Sequence, residues 1–182
     1  MARFPELQPN ELTPEQKQVY DTISSGPRGG VRGPLAVWLR RPKLAQWAQG
    51  LGEYCRYNSS LEKRLSELAI LATARLWGSE YEWYAHEPQA RAAGVPEAII
   101  EAIRTNATPR FEKTDEAIVY EVSLTLNHTR KIPDKLYNEA LKILGEARLI
   151  DLIGVLGYYT LISMTINAFE VEQPADAPKR LG

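Results

Sequence analysis

The last helix-forming stretch of this chain constrains the fold more than any other. Between Glu146 and Phe169, apolar residues stand at Leu149, Ile150, Leu152, Ile153, Val155, Leu156, Tyr158, Tyr159, Leu161, Ile162, Met164 and Ile166. They cover more than one face at helical spacing, so a helix here must be buried on most of its sides. A second run behaves alike: Leu65, Leu68, Ala69, Ala72 and Leu76 form a stripe that Ile70 and Leu71 widen. Both need cover from other helices, because no stretch alternates apolar and polar residues as a strand does. Asp151, two glycines and several Ser/Thr residues interrupt the final run, which sets it apart from a membrane span.

Local signals divide the rest into helices. Thr13-Pro14 reads as an N-cap and first helical residue, opening a helix to about Ser25. Pro34 to Leu39 reads as a short apolar turn, and Pro42 starts a helix to about Tyr57. Ser59-Ser60-Leu61-Glu62 matches a capping box, so the next helix is expected over 61–77, with Gly78 as its C-terminal stop. Ser79-Glu80-Tyr81-Glu82 repeats the pattern for a helix to about Ala93, in which Pro88 predicts a bend or an early end. Further helices follow over 97–104, 111–127, 133–144 and 146–169, with Gly145 capping the penultimate one. The expectation is an all-α single-domain bundle of about eight helices. Residues 1–30 form an arm and first helix, 31–170 the domain proper, and 171–182 a disordered or draped tail. Two nearly all-apolar helices in a chain of 182 residues predict burial against further copies, hence a homo-oligomer.

Composition narrows the function. A net charge of −1 without a single-sign run leaves no electrostatic footprint for nucleic acid. The N-terminal MARFPELQPNELTP lacks an apolar signal core, which predicts a cytoplasmic location. Cys55, the lone cysteine, permits neither an internal disulfide nor a CxxC redox pair. Four glycines in GPRGGVRG (26–33) have neither a preceding strand nor a following Lys-Ser/Thr, so a connector is a better reading than a phosphate loop.

Chemistry concentrates between Glu67 and Gly94. Ser79, Glu82 and His86 are spaced three and then four residues apart and therefore share one helix face. His86 is one of two histidines, and its near-neutral pKa suits a general acid or base. Glu67 interrupts an apolar run, which points to a buried, functional carboxylate. Each residue also has a plainer reading. Ser79 can be only a cap, Glu82 and His86 a surface pair, Glu67 a partner of Lys63 or Arg64, His128 a charge at a helix end, and Cys55 a small buried hydrophobe. Glu67, Glu82 and His86 could also supply a carboxylate–histidine triad to a metal.

The run LSELAILATARLWGSEYEWYAHEPQARAAGVPEAIIEAI, with the RGPLAVWLRRP entry and Leu156-Gly157-Tyr158-Tyr159, resembles carboxymuconolactone decarboxylase-like proteins, a superfamily that includes the alkylhydroperoxidase D proteins. The family pattern is a glutamate, a twelve-residue step, a CxxC or its replacement, then a histidine four residues on. Here these positions hold Glu67, Ser79, Glu82 and His86. The resemblance implies an all-α fold assembled as a trimer or hexamer, with no metal and no cofactor. Peroxidase members use the two cysteines as thiols. Serine at 79 and glutamate at 82 have no such redox chemistry, so the peroxidase activity is disfavoured. The decarboxylase branch fits better, implying decarboxylation or isomerisation of a small organic acid or lactone. His86 would then be the acid/base, Glu82 and Glu67 its orienting and relay partners, and Ser79 a further candidate. Tyr81 and Trp83, with Trp77 and Tyr84, would form a partly apolar wall, and Arg32 and Arg75 are the candidate cations for the substrate.

Overall fold

The computed structural model describes residues 2–5 and 7–181. Its helices are α1 (Pro14–Ser25), α2 (Pro34–Trp38), α3 (Pro42–Glu53), α4 (Lys63–Leu76), α5 (Glu80–Ala92), α6 (Glu97–Arg104), α7 (Thr114–Thr129) and α8 (Asp134–Phe169). Among the described residues there is no strand. A 3-10 turn precedes α1 at Pro9–Glu11, and a π-helical turn extends α3 over Tyr54–Asn58.

The apolar pattern of α4 sets the architecture. Every residue from Leu65 to Ala74 is buried, so this helix runs through the middle of the domain. It packs against α5, α6, α7 and α8. The second apolar helix, α8, contributes Leu149, Leu152, Val155, Leu156, Tyr158, Tyr159, Ile162 and Ile166 to the same core. This long apolar helix is mostly buried inside the domain, as a core helix is. Its burial is nevertheless incomplete: Ile150, Ile153, Leu161 and Met164 are exposed along one side. Gly145 interrupts α8 with φ 76°, a left-handed conformation that costs glycine little, and divides it into the two arms expected from sequence.

Three local expectations are corrected. The box at Ser59–Glu62 does not form: α4 starts at Lys63 with no side-chain cap, the Ser59 hydroxyl donates back to the Cys55 carbonyl, and Asp151 of α8 accepts from both the Ser60 amide and hydroxyl at 2.6 Å. Pro88 neither ends nor divides α5, which runs on to Ala92. Pro88 and Tyr84 lie on the exposed side, where water can serve the carbonyl that the ring leaves unpaired. Pro34–Trp38 is a short helix, held against α8 by the Trp38 indole donating to Thr165 at 3.0 Å. By contrast, the α1 cap forms as expected: the Gln16 amide donates to the Thr13 hydroxyl and the Thr13 amide to the Gln16 side chain.

Both ends drape over the bundle. Phe4 stacks on Phe169 beneath the Arg40 guanidinium. The C-terminal segment runs back over α5, where the Glu80 carboxylate accepts from the amides of Arg180 and Leu181, each at 2.9 Å.

Candidate functional site

The turn between α4 and α5 brings the chemical residues together. Gly78 adopts φ 57°, letting the chain turn from α4 into α5 across the three residues 77–79. The face of α5 carrying Glu82 and His86 then lies against α4 beside Glu67. The Glu67 carboxylate, fully buried, accepts from His86 Nδ1 at 2.6 Å. Its other oxygen lies 2.6 Å from the Lys63 ammonium, an ion pair angled poorly for a directed hydrogen bond. On the far side of the imidazole, Nε2 faces Glu82 Oε1 at 3.5 Å. The ring is packed edge-on against Tyr159, with centroids 5.0 Å apart.

This order fixes the charges. Burial pushes the Glu67 carboxyl upward, but His86 and Lys63 together outweigh burial and hold it below the usual carboxylate range. Burial likewise opposes charge on His86, and the carboxylates of Glu67 and Glu82 overcome it, raising the imidazole above its ordinary 6.5. Nδ1 is occupied by Glu67, so the imidazolium has one proton left to present, on Nε2. His86 and Glu82, the group beside that nitrogen, both line a cavity.

The cavity has a volume of about 450 Å³, within the ordinary range for small-molecule sites. His86 and Glu82 form one wall, Tyr158 and Tyr159 of α8 another, and Arg28, Arg32, Arg56 and Tyr81 surround them. Two glycines let the walls close. A Cβ on Gly33 would stand 2.6 Å from the Tyr81 ring, and one on Gly52 would stand 2.1 Å from the Tyr158 hydroxyl. Among the described residues, no group of three or more His, Cys, Asp or Glu side chains is placed to hold a metal ion.

Of the sequence candidates, Glu67, Glu82 and His86 converge, and Tyr81 and Arg32 line the cavity. Ser79, Trp83 and Arg75 do not line it. Ser79 occupies the N-cap position of α5, fully buried, with a hydroxyl that makes no cap bond and no other hydrogen bond. Trp83 is fully buried in the core, because the face of α5 opposite the cavity packs inward. Arg75 lies in the last turn of α4, well beyond the Glu67 end. Sequence reasoning left out Arg28, Arg56, Tyr158 and Tyr159 as site residues. Arg28 shares the glycine-rich turn with Arg32, which was a usable signal. Arg56 had none, since its aim depends on the π-helical turn that follows α3.

Comparison with known proteins bears on the family and the fold. Residues 42–123 match the model of the carboxymuconolactone decarboxylase family. No curated protein matches the chain. An uncharacterized peroxidase-related protein from Silicibacter sp. TM1040 superposes with a TM-score of 0.75 at 12% identity, covering 100% of this chain and 94% of that one. An alkylhydroperoxidase AhpD core protein from Ralstonia eutropha JMP134, also an uncharacterized peroxidase-related protein, gives 0.77 at 12% identity, covering 96% and 93%. A protein of unknown function from Agrobacterium tumefaciens gives 0.66 at 15% identity, covering 77% and 97%. At these identities the likeness is one of fold.

Proposed function

We propose, from the premise that this chain belongs to the carboxymuconolactone decarboxylase and alkylhydroperoxidase D-like superfamily, that it is an acid–base enzyme needing no cofactor. Its reaction is the decarboxylation or isomerisation of a small organic acid or lactone. The observation that carries this reading is the buried Glu67–His86 pair, whose histidine lines the cavity together with Glu82, the group beside its second imidazole nitrogen. A carbanion or enolate formed in the cavity must be protonated at carbon, and an imidazolium held by a carboxylate is suited to deliver that proton. Glu67 orients the ring and keeps it charged. Glu82, one turn earlier, lies beside Nε2 and can relay a proton from water to the imidazole that the transfer to carbon has left neutral.

The peroxidase chemistry suggested by the names of the similar structures would need a reactive thiolate. Cys55 does not line the cavity, and burial, followed by the nearby Asp151 charge, pushes its thiol up to about 11. A thiol so protonated at neutral pH is a poor nucleophile. The proposed setting is the cytoplasm, and the proposed assembly a homo-oligomer, trimer or hexamer. Exposed Leu44, Trp47 and Leu51 of α3, followed by Tyr54, together with the bare side of α8, would be covered there.

The test is turnover of a panel of lactone acids and β,γ-unsaturated acids, followed by carbon dioxide release and by deuterium uptake at carbon from heavy water. His86→Gln is expected to lower either rate by about 10²–10⁴-fold. Unchanged turnover in that variant refutes the assignment. Ligand binding without turnover in the wild-type protein refutes the enzyme and favours a binding protein.

A further inference from the structure

Beyond α8 the chain crosses the rim of the cavity. Val171 stays with the helix end, its amide donating to the Ile166 carbonyl at 3.0 Å. Val171, Glu172 and Gln173 then border a small hollow shared with Ala36, Val37 and Arg40, on α2 and just past it. Pro174 reaches the cavity and forms part of its lining. Arg180 and Leu181 end on α5 and α6. Glu80 accepts from both of their backbone amides, Arg180 pairs with Glu87 at 2.8 Å, and Arg104 donates to the Arg180 carbonyl at 2.9 Å. Residues leading into α2 line one side of the cavity and α5 lines another, so this span bridges two of its walls.

The bridge is fastened at its ends and not along its length. Among the described residues from 171 to 181, Leu181 alone is buried, where it joins the hydrophobic core, and Val171 is half-buried against that core. The stretch from Pro174 to Lys179 carries two alanines, two prolines, Asp176 and Lys179, and so has little apolar surface to bury. Its bonds are local: the Ala177 amide donates to the Pro174 carbonyl at 2.9 Å, and the Gln173 side chain donates to the Ala177 carbonyl at 2.8 Å. The prolines fix φ and stiffen it further. A short, stiff piece with few buried contacts opens at low free energy and as a unit. Release of its far end also strands no charge, because the nearly buried Glu87 keeps the Arg91 guanidinium at 2.9 Å when Arg180 leaves.

We infer that residues 172–181 form a hinged strap over the cavity entrance, pivoting just beyond Val171 and latched on α5 and α6 by Arg180 and Leu181, and that release of the latch admits small molecules to His86. Latched, the strap holds Pro174 at the rim and narrows the way in. Released, it swings as one arm while the bundle beneath stays packed. A buried charge pair such as Glu67–His86 gains from an entrance that closes behind its ligand, since water at the site would weaken every interaction in it. The strap governs entry and not chemistry, so it stands apart from the acid–base reading.

The experiment is carbethoxylation of the full chain by diethyl pyrocarbonate at one fixed pH. Peptide mass spectrometry reads His86 against His128, the exposed histidine at the end of α7, which serves as internal reference. Arg180→Ala and Leu181→Ala each remove one latch contact and are each expected to raise the His86:His128 labelling ratio by about threefold or more. Lys179→Ala, exposed on the same span, should leave the ratio within about 1.5-fold. Hydrogen exchange of the α4 amides should be unchanged in all three variants. An unaltered ratio in either latch variant overturns the proposal, as does an equal rise in Lys179→Ala. A rise accompanied by lost protection in α4 overturns it too, because access then comes from loosening of the whole bundle. No turnover is read in this experiment, so a failed strap leaves the His86→Gln test of the acid–base reading standing, and failure of that reading leaves the strap standing.

Discussion

Replacing Glu67 by glutamine tests the charge arrangement on which the chemistry depends, and does so without a known substrate. The glutamine keeps the shape and a hydrogen bond to Nδ1 but removes the charge that holds the imidazole protonated against burial. Cutting one member of a buried pair costs about 3–5 kcal/mol when the other must stay charged. His86 can discharge instead, so the loss should be nearer 1–3 kcal/mol, about the cost of an imperfectly satisfied buried group. For a chain of this length that is roughly a 3–9 °C fall in Tm. The pH dependence gives the sharper reading. His86 is raised in the folded state, so its contribution is full below 6.5 and is lost as pH rises through the folded value. Glu67 is lowered, so its contribution is present above 4.5 and is lost as pH falls through its folded value. The stability advantage of wild type over Glu67→Gln should therefore be greatest between about 4.5 and 6.5 and shrink on both sides. Carbon-13 NMR of the imidazoles reads the same event directly, since only His86 and His128 contribute. The His86 signal should titrate above 6.5 in wild type and below 6.5 in the variant. An unmoved His86 titration would refute the pairing.

Further expectations are simpler. Ser79→Ala should leave turnover unchanged and stability the same or higher by up to about 1 kcal/mol, because the hydroxyl it removes is buried and unpartnered; a large loss of rate would restore Ser79 to the site. With its thiol near 11, Cys55 should be about 0.1% thiolate at pH 8, so maleimide labelling of the folded protein should be slow, and Cys55→Ser should turn over at the wild-type rate. Gly52→Ala forces Tyr158 and Arg28 aside and should cost about 1–3 kcal/mol in chemical denaturation.

The helices were legible because their signals are local. Thr13-Pro14, Gly78 and Gly145 act within one turn, and the apolar girth of α4 and α8 declares their central place. The Glu67–His86 meeting was legible for a related reason: a short turn between neighbouring helices leaves few geometries open. Failures came where distant segments compete. Ser59-Ser60-Leu61-Glu62 matched a capping box, but Asp151, ninety-one residues beyond Ser60, holds that segment from α8, and Ser59 turns back to Cys55. Arg56 escaped notice because its direction depends on a widened turn that has no residue signature. Arg75 was a candidate cation for the substrate, yet it stands two helical turns beyond Glu67 and does not line the cavity. Tyr158 and Tyr159 read as core, and they are; the same rings also face the cavity.

The hollow beside His86 is bounded by five stretches that lie far apart along the chain, around residues 27–35, 56–57, 81–86, 158–162 and 174. Such a hollow has no counterpart once the chain unfolds, so whatever occupies it must raise the melting temperature. Saturation at a hundredfold over Kd adds about 2.7 kcal/mol, or roughly 5–10 °C for a molecule of this size. Dye-based melting of a metabolite library can thus find the natural occupant before anyone guesses the reaction.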